Sequence, residues 1–108
     1  MPFIDPGEMS ELVPAPGITI RAVGGEKVML SFVDFEPHAE VPAHQHPHEQ
    51  MGVVLAGEFE LCIGDERRVV REGDTYLVPS GVRHSARSLE GAARALDVFA
   101  PPRDEYRK

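Results

Sequence analysis

The chain has a single cysteine, Cys62, and no tryptophan. One thiol excludes an intramolecular disulfide, and nothing beside it in Glu60–Gly64 resembles an activated nucleophile. Positive charge is scarce as well: 11 Lys and Arg stand against 18 Asp and Glu, a net charge of −7. That balance argues against a nucleic-acid partner and against an anionic membrane surface, so an anionic ligand has to be met by a local positive site. No apolar run approaches the roughly 20 residues of a membrane span. The Met1–Ser10 start lacks the basic and apolar regions of a signal peptide, which makes the cytoplasm the expected location. Helical periodicity is missing beyond about a turn or two.

What is present is a series of short apolar stretches separated by glycine and proline. At 108 residues the chain suits one domain with one core. Residues 1–17, broken by Pro2, Pro6, Gly7, Pro14, Pro16 and Gly17, read as an extended N-terminal arm, suited to adding a strand to a neighbouring sheet or subunit. A homodimer with an exchanged N-terminal strand is therefore expected. Residues 18–108 form the barrel domain. Ile18–Ala22 alternates and ends at Gly24-Gly25. Val28–Phe35 is apolar on both faces, as for a strand lying between two sheets. Met51–Leu55, Phe59–Ile63, Arg67–Arg71, Tyr76–Val78 and Leu96–Phe99 follow, with turn signals at Gly57, Gly64-Asp65 and Gly73-Asp74. Short strands at intervals of roughly 8–12 residues predict an all-β sandwich or barrel.

The stretch His44-Gln-His-Pro-His-Glu-Gln50 carries the chemistry. Histidines at i and i+2 in a strand place both imidazoles on one face, which is metal-ligand spacing. Gln50 lies far enough beyond His46 for its amide oxygen to return to the same centre, and His84 is a fourth candidate. Glu49 is expected to orient a ligand imidazole. His38 is read as a loop residue, and His48 as lying beside the site or facing solvent.

At these residues the chain resembles the cupins. Pro42–Gly57 matches the motif G-x5-H-x-H-x3/4-E-x6-G through His44, His46, Gln50 and Gly57, and Gly73–His84 matches G-x5-P-x-G-x2-H through Gly73, Pro79, Gly81 and His84. His38 stands where the first motif usually begins with glycine, Gln50 replaces the usual glutamate, and Ser88 sits where asparagine often ends the second motif. The resemblance implies a cupin double-stranded β-helix, a small jelly-roll barrel in a single domain with the site in its mouth.

A narrower resemblance, to the KdgF-type cupins of pectin and alginate degradation, adds the tail Leu96-Asp-Val-Phe-Ala-Pro-Pro-Arg-Asp-Glu-Tyr106 with its D-x-F-x3-R spacing. That family opens unsaturated monouronates to linear keto sugar acids. By resemblance, His44, His46, Gln50 and His84 hold one divalent transition metal, and Asp97, Phe99 and Arg103 are the catalytic residues. The ligand set tolerates nickel, zinc, manganese, cobalt or iron(II), and the partner the resemblance implies is a small anionic sugar acid.

The residue types suit such chemistry. Three imidazoles and an amide leave a dication its full charge, making a strong Lewis acid. Asp97 can shuttle a proton, Arg103 can clamp a carboxylate, and Phe99 can wall the sugar from water. Each has a plainer reading: Asp97 as a rim charge paired with Arg94 or Arg83, Phe99 as core, Arg103 as solvated. Two other functions compete, an iron-dependent dioxygenase and a non-enzymatic sugar- or metal-binding cupin.

Overall fold

Ten strands build the computed structural model, which describes residues 2–107. They are β1 (Ser10–Ala15), β2 (Ile18–Gly24), β3 (Met29–Phe35), β4 (Glu40–His44), β5 (Glu49–Ala56), β6 (Glu58–Ile63), β7 (Glu66–Arg71), β8 (Thr75–Val78), β9 (His84–Ser88) and β10 (Ala93–Ala100). All pairings are antiparallel. One sheet runs β1-β2-β3-β10-β5-β8 and the other β4-β9-β6-β7. The protein is all-β with two sheets facing each other in a single domain, the jelly-roll arrangement the motifs imply. No helix of the described residues is long and apolar enough to cross a membrane.

Alternation decides what lies between the sheets. In β10, Ala93, Ala95, Asp97 and Phe99 are buried while Arg94 and Ala100 are exposed. In β3, Met29, Ser31, Val33 and Phe35 face inward. Its other face, with Leu30, Phe32 and Asp34, is open or half-buried, so β3 does not lie between two sheets: it belongs to one sheet and its apolar outer face looks away from the core. Phe59 of β6 stacks on Phe35 of β3, ring centroids 4.8 Å apart, and joins the sheets at the centre of the core. Burying a phenylalanine this fully contributes roughly 2–3 kcal/mol.

The prolines are accommodated where the ladder tolerates them. Ser10–Ala15, within the stretch read as an arm, pairs with β2 of the same chain as the edge strand β1. Pro14 falls at the register break between Leu12 and Ala15, an edge-strand position that tolerates a missing N–H. Pro42 is placed alike in β4, the edge of the smaller sheet, inside the break between Val41 and His44. His38 has φ +58°, the left-handed conformation that makes glycine usual at this place in the motif. The loop around it is tied down by Ser88, fully buried, whose hydroxyl donates to the Glu36 carbonyl at 2.5 Å and accepts from the Ala39 N–H at 2.9 Å.

Candidate metal centre

Both sheets and one loop contribute to the site. His44 at the end of β4 and His84 at the start of β9 are cross-strand partners in the smaller sheet. Gln50 of β5 and Phe99 of β10 are partners in the larger one. His46 lies in the loop after β4, so the two histidines of the motif do not share a strand face as expected; the chain leaves the sheet after His44 and its course brings the second ring back. The result is nevertheless convergent. Ring centroids of His44, His46 and His84 are 4.2 to 5.6 Å apart, and one ligating atom from each lies within 4.8 Å of the others.

The tautomers follow from the hydrogen bonds. Nδ1 of His44 meets the Pro42 carbonyl at 2.8 Å, Nδ1 of His46 the His48 carbonyl at 3.1 Å, and Nδ1 of His84 the Val82 carbonyl at 2.9 Å. A carbonyl can only accept, so in each ring Nδ1 carries a proton, and a neutral ring then keeps its lone pair on Nε2. Backbone, not Glu49, orients the imidazoles: Glu49 is exposed, and the role expected for it is taken by carbonyls two residues away from each histidine.

In His84 and His46 that position has no donor to meet. His84 Nε2 is buried with no hydrogen-bond partner among the described residues. His46 Nε2 stands 3.2 Å from the Gln50 Oε1, two acceptors face to face. A proton on both nitrogens would reconcile them, but burial, together with the charge of Arg103 and the neighbouring His84, lowers the His46 pKa to about 4. Burial likewise holds His84 below the ordinary range. Neutral, inward-aimed imidazoles fit a divalent cation, and the three-histidine cluster is suited to one.

The tail residues face the same cavity. Asp97, 7% exposed, accepts from the Tyr76 hydroxyl at 2.6 Å. Burial raises its pKa to about 6, against the opposing pull of hydrogen bonds from Tyr76 and Gln50 and of the Arg103 charge. It is not a rim charge; Arg94 pairs instead with Asp34 at 2.6 Å. Phe99, 3% exposed, sets its ring edge-on to His46 at 5.6 Å, belonging to the core and the site wall at once. His48 packs against both His46 and Phe99. Arg103 is buried rather than solvated. Its guanidinium lies 5.2 Å from the Phe99 centroid and 4.3 Å from that of Tyr106, and it donates to the Tyr106 hydroxyl and to Glu105. Its Nε has no partner among the described residues.

The cavity is lined by Asp97, Phe99 and Arg103, by His44 and His84, and by Ser31, Tyr76 and Tyr106, which the sequence pattern did not single out. Ser31 is opposite Asp97 in the β3–β10 pairing, with its buried hydroxyl oxygen unpartnered among the described residues. Alternation of β3 could have flagged it as the one polar residue on an apolar inner face. Nothing local could have flagged the tyrosines.

The Cupin domain signature matches residues 31–99, most of the barrel. The chain is 33% identical over 82 residues to the pectin degradation protein KdgF of Dickeya dadantii, covering 75% of this chain and 74% of that one. It is 38% identical over 77 residues to an H2HPP isomerase of Bacillus subtilis, covering 69% of this chain but only 32% of that longer protein. Among solved structures, KdgF from Halomonas sp. superposes with a TM-score of 0.85 at 31% identity, covering 95% of this chain and 97% of that one. The chain therefore belongs to the cupin domain family and is similar to KdgF along most of its length.

Proposed function

We propose that the protein is a metal-dependent enzyme that opens the ring of 4,5-unsaturated monouronates, the products of pectin or alginate cleavage, to linear keto sugar acids. The observation that carries the reading is a buried carboxylate and a buried guanidinium, Asp97 and Arg103, lining one cavity with His44 and His84, whose ligating atoms converge with that of His46. Similarity to a pectin degradation protein supports the substrate class.

The reaction is an isomerisation and needs no oxidant. The anomeric hydroxyl loses its proton, the bond from anomeric carbon to ring oxygen breaks, and the electron pair passes to that oxygen as an enolate. A proton then adds to the adjacent alkene carbon, leaving an aldehyde at one end and a ketone at the other. Asp97 is the group to take the first proton and return the second, its pKa near 6 being close to a working pH. Arg103 is the group to hold the substrate carboxylate, through its Nε–H, which has no partner among the described residues. Phe99 gives the sugar a wall and excludes water. His44, His46 and His84, with Gln50 as fourth ligand, are the residues to hold a divalent metal, nickel, zinc, manganese, cobalt or iron(II). Bound there, a metal supplies Lewis-acid stabilisation of negative oxygen.

An amide in place of a carboxylate ligand speaks against iron-dependent oxygenation, which favours a carboxylate. The test is the decay of unsaturated galacturonate and mannuronate, followed by conjugated-alkene absorbance near about 230 nm, with metal-replete protein. Acceleration of either substrate supports the reading and names the preference. A rate equal to spontaneous decay for both would overturn it, and oxygen uptake by the same protein would favour the oxygenase. In a purely binding protein, Asp97→Ala would alter affinity and nothing else.

A further inference from the structure

Asp97, Gly52 and Tyr76 stand in a single row across β10, β5 and β8, each paired with the next. All three occupy inward positions. Neighbouring strands are about 4.8 Å apart, so the backbones of Asp97 and Tyr76 are separated by roughly 10 Å. A side chain on the middle strand would normally fill that interval. Here it is absent, and the tyrosine hydroxyl reaches across to Asp97 Oδ1 at 2.6 Å. The space is fully used: a Cβ on Gly52 would fall 2.3 Å from Asp97 Oδ1 and 2.3 Å from Tyr76 Cζ.

We propose that Tyr76 is the positioning residue for Asp97, acting through the gap that Gly52 leaves, so that one carboxylate oxygen is fixed and the other is presented to the substrate. The role attached to Asp97 rests on the ring-opening reading; the positioning itself does not. The ring of Tyr76 is accounted for by packing, since it meets Phe59 edge-on at 6.3 Å. Its hydroxyl is not: a phenylalanine would pack there as well, without the hydrogen bond. Burial and the Asp97 charge raise the Tyr76 pKa far above its ordinary value, so the hydroxyl remains a donor. The Gln50 amide also hydrogen-bonds the Asp97 carboxyl, so a second contact restrains its orientation. A proton shuttle that serves two atoms of one substrate gains from such restraint, because small displacements of a catalytic group cost orders of magnitude in rate.

The test uses full-length, zinc-loaded protein, wild type beside Tyr76→Phe, with Gly52→Ala as a second variant that keeps the hydroxyl but obstructs its path. Three-bond couplings from Asp97 Cγ to its backbone nitrogen and carbonyl report the side-chain rotamer. One rotamer in wild type and averaging in Tyr76→Phe are expected. With a uronate substrate, Tyr76→Phe should lose about 10- to 100-fold in kcat with KM within about twofold, and Gly52→Ala should lose kcat in the same way. A single, unchanged rotamer in Tyr76→Phe overturns the proposal whatever the activity, as does an unchanged kcat in an active enzyme. If wild type leaves both uronates at their spontaneous rate, the ring-opening reading fails, and the couplings alone still decide whether Tyr76 positions Asp97.

Discussion

Arg103 donates to the Tyr106 hydroxyl at 3.0 Å while its guanidinium carbon lies 4.3 Å from the centre of the same ring. A three-residue turn, Asp104–Tyr106, makes this possible by bringing the tyrosine back over the arginine. The fork is thus held by stacking on one side and hydrogen bonding on another, with Glu105 taking a second nitrogen at 3.1 Å. Arg103→Lys keeps the charge and removes both the plane and the fork. KM for an unsaturated uronate should rise by about tenfold or more, corresponding to the loss of one charge-assisted hydrogen bond, with a smaller change in kcat. Steady-state kinetics on the variant distinguish this from a solvated residue, for which neither constant would move.

Metal content should follow the imidazoles and ignore Glu49. Because backbone carbonyls fix the three Nδ1–H groups, no carboxylate is needed to orient them. His84→Ala removes a buried imidazole of the cluster and should reduce bound metal from about one ion per chain to a small fraction. Glu49→Ala should leave it unchanged. Metal analysis of the two variants prepared side by side checks both, and loss of metal from Glu49→Ala would show that the carboxylate contributes after all.

Protonation in the metal-free protein should pull stability two ways. His46 has its pKa lowered from 6.5 to about 4, so its contribution is present above pH 6.5 and is lost as pH falls toward 4. His84 acts in the same direction. Asp97 has its pKa raised from 3.8 to about 6, so its contribution is present below pH 3.8 and is lost as pH rises through 6. Asp97→Asn removes the opposing slope. Its stability relative to wild type should increase by about 1–3 kcal/mol between pH 4 and pH 7, measured by urea denaturation after metal removal. A constant difference across that range would mean that the Asp97 pKa is the same folded and unfolded.

Much of this site was readable because its parts sit in fixed spacings. His44, His46, Gln50 and His84 are tied to glycines and a proline that turn the chain, and their convergence depends on those turns rather than on strand alternation in the histidine pair. The strands were readable where apolar residues alternate, as in β2 and β6. They were not where an edge position excuses proline, as in β1 and β4, or where small and polar residues predominate, as in β9. Alternation in β10 sets Asp97 on the same face as Phe99, but that this face turns inward is decided by the pairing with β3 and β5. Tyr76 and Gly52 were silent for a related reason: their meaning lies in a row across three strands, and register between distant segments cannot be seen in either one.

Two glycines of the cupin motifs look equivalent in the sequence and should respond differently to alanine. Both adopt the left-handed conformation, Gly57 at φ +70° and Gly81 at φ +77°. For any residue with a Cβ this conformation costs roughly 1–2 kcal/mol. At Gly81 that is all, because nothing lies within 4 Å of the added carbon. At Gly57 the Cβ would stand 2.3 Å from the Ala92 carbonyl oxygen and 3.0 Å from the Ala93 Cα. These are backbone atoms of the residue before β10 and of its first residue, and cannot swing aside as a side chain would. Gly57→Ala should therefore cost about 3 kcal/mol or more and disturb the entry to the strand that carries Asp97 and Phe99. Gly81→Ala should cost about 1–2 kcal/mol and keep its N–H bonded to the His46 carbonyl at 2.9 Å, preserving metal content. Equal losses in urea denaturation would show that conformation alone, and not close approach, is what the motif glycine at 57 provides.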